Sequence, residues 1–337
     1  MNSIFPNSAP CPVLQQGRVA ILMRTKNRPV LLVRALMSVL SQTYANWHLY
    51  LVNDGGEYDE LEVLIAPYRP AFAEHLTVKH HPQSQGMEAA SNSALQEARD
   101  TYDYVVVHDD DDAWRPTFLE QTVAFLETPN NSRYGAVAAR CEVVHEEITK
   151  DNRVIEKRRE PFGYWKERID LLDMLRTNSI PPICLLIRKY IVDQIGAFNP
   201  SLPVLGDWDY NIRILMLVDI GTINVPLAYY HHRVTGDAVY GNSVHAGLDR
   251  HLDYQVLYRN ALVRALLAKE PGYAGFLNIL LVRLQQLEDN LNWMHWDMNN
   301  LTPAWGRPID RALHPVRWAW KKLIPVRRLV AKVRGRV

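Results

Sequence analysis

A run of valines in this chain ends in four consecutive carboxylates: Tyr104-Val105-Val106-Val107-His108-Asp109-Asp110-Asp111-Asp112-Ala113-Trp114. The short continuous apolar run reads as a strand buried on both faces. Four like charges in a row repel one another, so folding alone gives no reason to gather them. In open α/β sheets, ligands sit beyond the carboxyl ends of the strands. Carboxylate oxygens are the preferred ligands of hard cations such as Mg2+ and Mn2+. The stretch therefore points to an α/β sheet whose edge holds a metal and, through it, a phosphorylated substrate. The competing reading is a solvated acidic turn ahead of the helix after Pro116, where Asp is favoured. One Asp would favour that turn; four after a valine strand favour the metal.

Strands and helices alternate around this run. Residues 18–24 read as a buried strand, and Pro29 opens a helix to about residue 43. Residues 49–52 form a second strand ending in Asn53-Asp54-Gly55-Gly56. Residues 76–79 form a third, leading through His81-Pro82 to a helix from Gly86. This order predicts a mostly parallel sheet with right-handed crossovers. Residues 134–155 change to charged β-branched alternation, the mark of antiparallel strands. A strand at 183–187, a helix ending at Gly196, a helix at 207–218 and a strand at 223–230 follow. The last of these enters His231-His232-Arg233. Beyond Leu248 the pattern is helical, with apolar stripes through Leu252, Val256, Leu257 and Ala261, then Leu277, Leu281, Leu284, Leu287 and Leu291.

At 337 residues, 47% hydrophobic and 22% charged, the chain suits a soluble protein of one large α/β domain plus an appendage. Its opening residues lack the apolar core of a signal peptide, and no apolar run is long enough to span a bilayer. Cys11, Cys141 and Cys184 follow no metal or disulfide spacing and read as free thiols in a reducing cytoplasm. Nine basic residues and no acid lie from Arg311 onward, so the net charge of +1 less these nine leaves −8 on residues 1–310. Body and tail should therefore have different partners. In the tail, Trp318, Trp320, Leu323, Ile324, Val326, Leu329, Val330 and Val333 interleave with the basic residues, as in an interfacial membrane segment. Each such charge is worth about 1 kcal/mol near anionic lipid. Pro315 and Pro325 break the tail into short pieces. Nucleic acid is not expected, because no reading module accompanies the charge.

Six segments, 19–28, 52–56, 86–94, 105–116, 180–198 and 202–213, stand in the order found in family 2 glycosyltransferases of the GT-A fold. The chain resembles that family over residues 18–240. The resemblance implies an α/β GT-A fold, a mostly parallel Rossmann-like sheet flanked by helices, with a helical C-terminal extension. The expected division is an N-terminal extension at 1–17, the glycosyltransferase domain at 18–245, the helical extension at 246–305 and the membrane-associating tail at 306–337. Residue by residue, the resemblance implies that Thr25, Asn27 and Arg28 lie against the donor nucleotide. Asp54 accepts a hydrogen bond from its base, the N3–H of uracil or thymine. Gly86 and Asn92 pass close to the ribose and diphosphate. Asp109 and Asp111 match the DxD acids, the first near the ribose and the second on the metal, with Asp110 grouped with the donor site. A late histidine, His232 or its neighbour His231, reaches the metal. Asp207, in Gly206-Asp207-Trp208-Asp209, matches the catalytic base. Two positions depart from the family: Ser91 stands where Arg is frequent, and Gly206 where a Glu usually precedes the base. The second departure leaves one fewer carboxylate near the acceptor.

The chemistry calls for the same parts. A leaving diphosphate needs its charge neutralised by a divalent cation, Mn2+ or Mg2+, and an acceptor hydroxyl needs a carboxylate to take its proton. Asp209 reads as a helix N-terminal charge. Trp114 and Trp208 read equally as sugar-stacking or core residues, and His80-His81 as surface. The expected protein is an inverting, metal-dependent glycosyltransferase using a UDP- or dTDP-sugar. It works on a lipid-linked surface glycan at the cytoplasmic face of the plasma membrane. Its C-terminal helices could support a homo-oligomer or a partner glycosyltransferase. The alternatives are a catalytically inactive scaffold or glycan-binding protein of the same fold, and a nucleotidyltransferase, against which Thr25-Lys26-Asn27-Arg28 counts.

Overall fold

The computed structural model describes residues 16–99, 101–149, 151–233 and 248–300. Most of the N-terminal extension, with Cys11, and the whole basic tail lie outside the described residues. The first half alternates as the sequence predicts: β1 (Val19–Thr25), α1 (Pro29–Leu40), β2 (Trp47–Asp54), α2 (Tyr58–Ile65), the short α3 (Arg69–Phe72), β3 (Leu76–His81), α4 (Met87–Ala98) and β4 (Tyr104–Val107). β1 pairs in parallel with β2 and β4, and β2 with β3. Every residue of β2 and β4 is buried, which is why residues 49–52 and 104–107 read as apolar runs.

The second half comprises β5 (Ala113–Trp114), α5 (Phe118–Glu127), β6 (Tyr134–Ile148), β7 (Val154–Pro161), α6 (Leu171–Arg176), β8 (Leu185–Arg188), α7 (Lys189–Ile195), α8 (Gly206–Leu215) and β9 (Asp219–Arg233). The strands join one sheet in the order β3-β2-β1-β4-β8-β6-β9-β5, with β7 beside β6. Here β8, β7 and β5 run antiparallel to their neighbours, while β6 and β9 are parallel to each other. The change in sequence character at residue 134 marks this seam. β7 is an edge strand and guards itself with charge: Arg158 pairs with Glu160 and Arg159 with Glu156.

Several expectations shift on inspection. β9 is longer at both ends than the expected 223–230, and α8 starts at Gly206 and stops at Leu215. β3 runs on to His81, which is buried rather than on the surface. Trp114 and Trp208 are core residues, 3% and 2% exposed. Each indole nitrogen has a partner, Trp114 donating to the Ile183 carbonyl at 2.8 Å and Trp208 to that of Met174 at 2.5 Å. Trp114 also stacks on Phe118, with ring centroids 4.5 Å apart. Cys141 and Cys184 are free and buried.

The chain divides into two compact units, one through Leu257 and one from Tyr258. The division falls inside α9 (Leu248–Lys269), which α10 (Tyr273–Asn300) follows. α10 leaves Phe276, Ile279, Leu281, Leu284, Leu287 and Leu291 exposed. Among the described residues no helix is long and apolar enough to cross a membrane. Trp114→Ala should cost about 3–5 kcal/mol of unfolding free energy in a urea titration, as large-to-small core changes do. Truncating the half-exposed Met37 on α1 should change it by less than about 0.5 kcal/mol.

Candidate active site

The chemistry gathers at the carboxyl ends of β1, β2 and β4. Residues 109–112 follow β4, and arginines from three other elements meet them. Asp109 pairs with Arg24 of β1 at 2.9 Å. Asp110 is buried, accepting from the Thr25 hydroxyl at 2.7 Å with Arg28 at 3.4 Å from its other oxygen. Asp111 lies 3.5 Å from Arg28 and is paired with Arg233 of β9, while its carbonyl accepts from Arg34 of α1. Asp112 is fully buried. One oxygen accepts the His231 N–H at 2.8 Å, and the other has no hydrogen-bond partner. Burial pushes the carboxyls of Asp109, Asp110 and Asp112 upward, and their mutual repulsion adds to it. A like-charged run thus survives folding by pairing with arginines, while burial shifts its carboxyls toward the neutral form.

Beneath this run lies a residue the sequence reading missed. Glu146 of β6 has a side chain only 1% exposed. It accepts from Arg34 at 2.6 Å, Arg233 at 2.6 Å and His231 at 2.8 Å. Burial alone would raise its pKa, but the hydrogen bonds from His231 and Arg34 outweigh it and hold the carboxyl well below the usual range. Its only sequence signal is period two along β6, which puts it on the inward face with the buried Val144.

Three of the expected site residues have partners within the protein. Asp54 accepts from His81 at 2.8 Å, the Ser84 hydroxyl at 2.7 Å, and the backbone N–H groups of Gln85 at 2.8 Å and Gly86 at 3.0 Å. A carboxylate offers about four acceptor sites, and with these partners Asp54 braces the loop into α4. Successive strand residues point to opposite faces, and its neighbour Asn53 instead lines an open pocket with Thr25, Asn27, Arg28, Glu57 and Leu61. Asn92 spends both ends of its amide on the backbone of Phe198, at 2.8 Å each. From β9 it is Arg233, not His232, that reaches Asp111. The His232 ring packs edge-on against those of Tyr230 and His145, at 4.5 and 5.8 Å. Gly86, by contrast, sits at the start of α4 at φ +97 with open space around its Cα. Only glycine adopts that conformation at no steric cost.

Asp207 stands in the first turn of α8, accepting from the Asn178 amide at 2.7 Å. Burial pushes its carboxyl up, as does Asp109. The Trp208 N–H, Arg24 and Asn178 oppose that rise. Leu205 ahead of it holds φ at +69, a conformation a leucine adopts only under constraint. Asp209 is tied to Arg213 at 2.8 Å, as expected of a helix charge. At Ser91 the hydroxyl accepts from Arg24 at 2.5 Å, so β1 delivers a guanidinium where the helix lacks one. Near both stands a second missed acid, the buried Glu88 of α4.

A mixed sheet with an acidic run at its parallel edge, and a further carboxylate opening a helix beyond it, defines a GT-A glycosyltransferase. The family model for glycosyl transferase family 2 matches residues 20–196, and the chain belongs to that family. Asp207 lies beyond the matched residues. The chain is 27% identical over 197 residues to an uncharacterised glycosyltransferase, YwdF, of Bacillus subtilis, covering 58% of this chain and 67% of that one. It is 32% identical over 107 residues to a putative colanic acid biosynthesis glycosyl transferase, WcaA, of Escherichia coli, covering 32% and 37%. Among solved structures it resembles S. aureus TarS 1-349 in complex with UDP-GlcNAc, with a TM-score of 0.53 and 18% identity. That match spans 67% of this chain and 62% of the other.

The Glu146 hub should be visible in stability against pH. Its folded pKa is depressed, so its contribution is complete above the unfolded value of about 4.3 and is lost as pH falls below it. Glu146→Gln should cost about 3–5 kcal/mol at neutral pH, because it leaves the buried Arg233 unmatched. In denaturant titrations the variant should lose less stability than the wild type on acidification.

Proposed function

We propose that this chain moves a sugar from a nucleoside diphosphate donor onto a hydroxyl of a growing surface glycan, with inversion at the anomeric carbon. The observation that carries the reading is the setting of Arg24. It pairs with Asp109, and the charges of Asp207, Asp110 and Glu88 all act on it. The acids suited to the two ends of the reacting bond are thus gathered around one guanidinium.

In this reading the nucleoside lies in the pocket beside Thr25, Asn27, Arg28 and Asn53, and Gly86 gives backbone room beside the diphosphate. Asp109 and Asp111 offer hard oxygen donors. Among the described residues no three His, Cys, Asp or Glu side chains converge as a full protein cage. That donor set fits Mg2+ or Mn2+ held by one or two carboxylates, with the remaining ligands from substrate phosphates and water. Bound there, such an ion supplies Lewis-acid neutralisation of the leaving diphosphate. Arg24, Arg28 and Arg233 keep the acids in position and add positive charge at the same edge. Asp207, half-exposed at the start of α8, takes the proton of the attacking hydroxyl. Its raised pKa makes it a stronger base than an ordinary aspartate.

The surface-glycan assignment draws on the WcaA relative, whose name places it in colanic acid biosynthesis, and on the basic tail at 306–337. The tail suits an anionic membrane surface bearing a lipid-linked acceptor on the cytoplasmic side. The exposed apolar residues of α10 suit a second copy or a partner glycosyltransferase.

Calorimetry with UDP, dTDP, GDP and CMP, with and without Mn2+, tests the donor site. Binding of one nucleoside diphosphate should require the metal and disappear in Asp111→Ala. No binding of any of the four by folded protein would favour the scaffold reading instead. UDP comes first, because TarS has been solved with UDP-GlcNAc. For the tail, full-length protein should float with anionic liposomes while residues 1–310 remain at the bottom of the gradient; equal flotation of the two would refute its role.

A further inference from the structure

Glu88 occupies the space that the side chain of residue 206 would take. It lies in the first turn of α4 and is 6% exposed. A Cβ added to Gly206 would overlap the Glu88 carboxyl carbon and Oε1. The glycine is not needed there for a left-handed φ; what it provides is room. The next residue is Asp207. The sequence departs from its family at two places, and at both a neighbouring element delivers the missing charge. Arg24 of β1 reaches Ser91, and Glu88 of α4 reaches Gly206. The two substitutes are coupled, since Arg24 is the largest charge drawing the Glu88 carboxyl down.

We propose that Glu88 is the second carboxylate of the acceptor side and shares with Asp207 the proton that the acceptor hydroxyl gives up. This rests on Asp207 as the base. The acceptor O–H bond breaks and its electron pair forms the new bond to the anomeric carbon. The bond from that carbon to the diphosphate oxygen breaks, its pair leaving with the nucleotide. The proton passes to Asp207 and is held by the pair until product departs. Glu88 is a positioning residue here, acting through Asp207 rather than on substrate.

The surroundings of Glu88 suit that task. Burial pushes its carboxyl up to about 7, with Arg24 opposing and Asp207, Asp109 and Asp209 reinforcing. At neutral pH it can therefore both hold and release a proton. Two neighbouring carboxylates resist ionising together, so one stays protonated while the other serves as base.

The test uses the full chain and its Glu88→Gln, Asp207→Asn, Gly206→Glu and Glu88→Ala/Gly206→Glu variants. In a carbon-13 NMR titration of the side-chain carboxyls, with the Glu88 signal assigned by its loss in Glu88→Gln, Glu88 should titrate near 7. Its midpoint should fall in Asp207→Asn. A midpoint at the ordinary value of about 4.3, or one indifferent to Asp207→Asn, overturns the proposal. Release of UDP from UDP-GlcNAc, with water as acceptor, gives the kinetic readout. Glu88→Gln should slow it about tenfold, the worth of one pKa unit, and remove the inflection near neutrality while leaving UDP affinity unchanged. Gly206→Glu should be inactive through overlap with Glu88, and the double exchange should recover activity. A Glu88→Gln rate and pH profile equal to wild type also overturn the proposal. Full activity in Asp207→Asn sinks the base reading instead, separately from the Glu88 midpoint. Should wild type not turn over UDP-GlcNAc, the titration alone decides.

Discussion

Everything at the active edge depends on countercharge. The strand β4 is followed by four aspartates, two of them buried and two partly exposed, in a setting where unpaired ions are expensive. Four arginines make this possible: Arg24 from β1, Arg28 from the turn after it, Arg34 from α1 and Arg233 from β9. They come from elements far apart in sequence, so the acidic run can exist only once β9 has closed beside β6. Glu146 completes the balance from below by holding two of those arginines and His231. Arginine suits the task because its charge is permanent and its fork spans two acceptors.

The parallel half was legible because burial on both faces leaves a simple mark. β1, β2 and β4 each carry an apolar core, at 19–23, 49–52 and 104–107, and each leads into polar residues where the chemistry sits. The antiparallel half was less so, since charged residues alternate through β6 and β9 and blur their ends. The acidic run, Gly86 and the turn at Thr25–Arg28 were all visible as local patterns. What escaped was set by contacts between distant elements. Glu88 looks like any acid favouring a helix start, and Glu146 like its exposed neighbour Glu147. Nothing local says that one faces Gly206 and the other two arginines and a histidine. Asp54 and Asn92 stand at positions that match a motif, and the contacts they make in the fold, to the loop into α4 and to the Phe198 backbone, were equally invisible locally.

The division of the sheet also sorts the proposed tasks. The donor end is assembled from the parallel strands and their turns, whereas Asp207 enters from α8, beyond the seam with the antiparallel strands. Arg24 joins two elements of the parallel half. Its pairing with Asp109 and Ser91 puts one guanidinium between the acids of β4 and the face of α4.

That face of α4 has a further consequence. Glu88 and Asn92 are four residues apart and therefore stacked on one side of the helix. The first meets the chain at Gly206 and the second grips it at Phe198. Two rungs of a single ladder thus span the loop that leads into Asp207. Substitution at either rung loosens one attachment, but inserting one residue between them would rotate one rung about 100° further around the helix axis from the other. The segment should accordingly vary in spelling while keeping its length, a metric constraint stricter than any constraint on its letters.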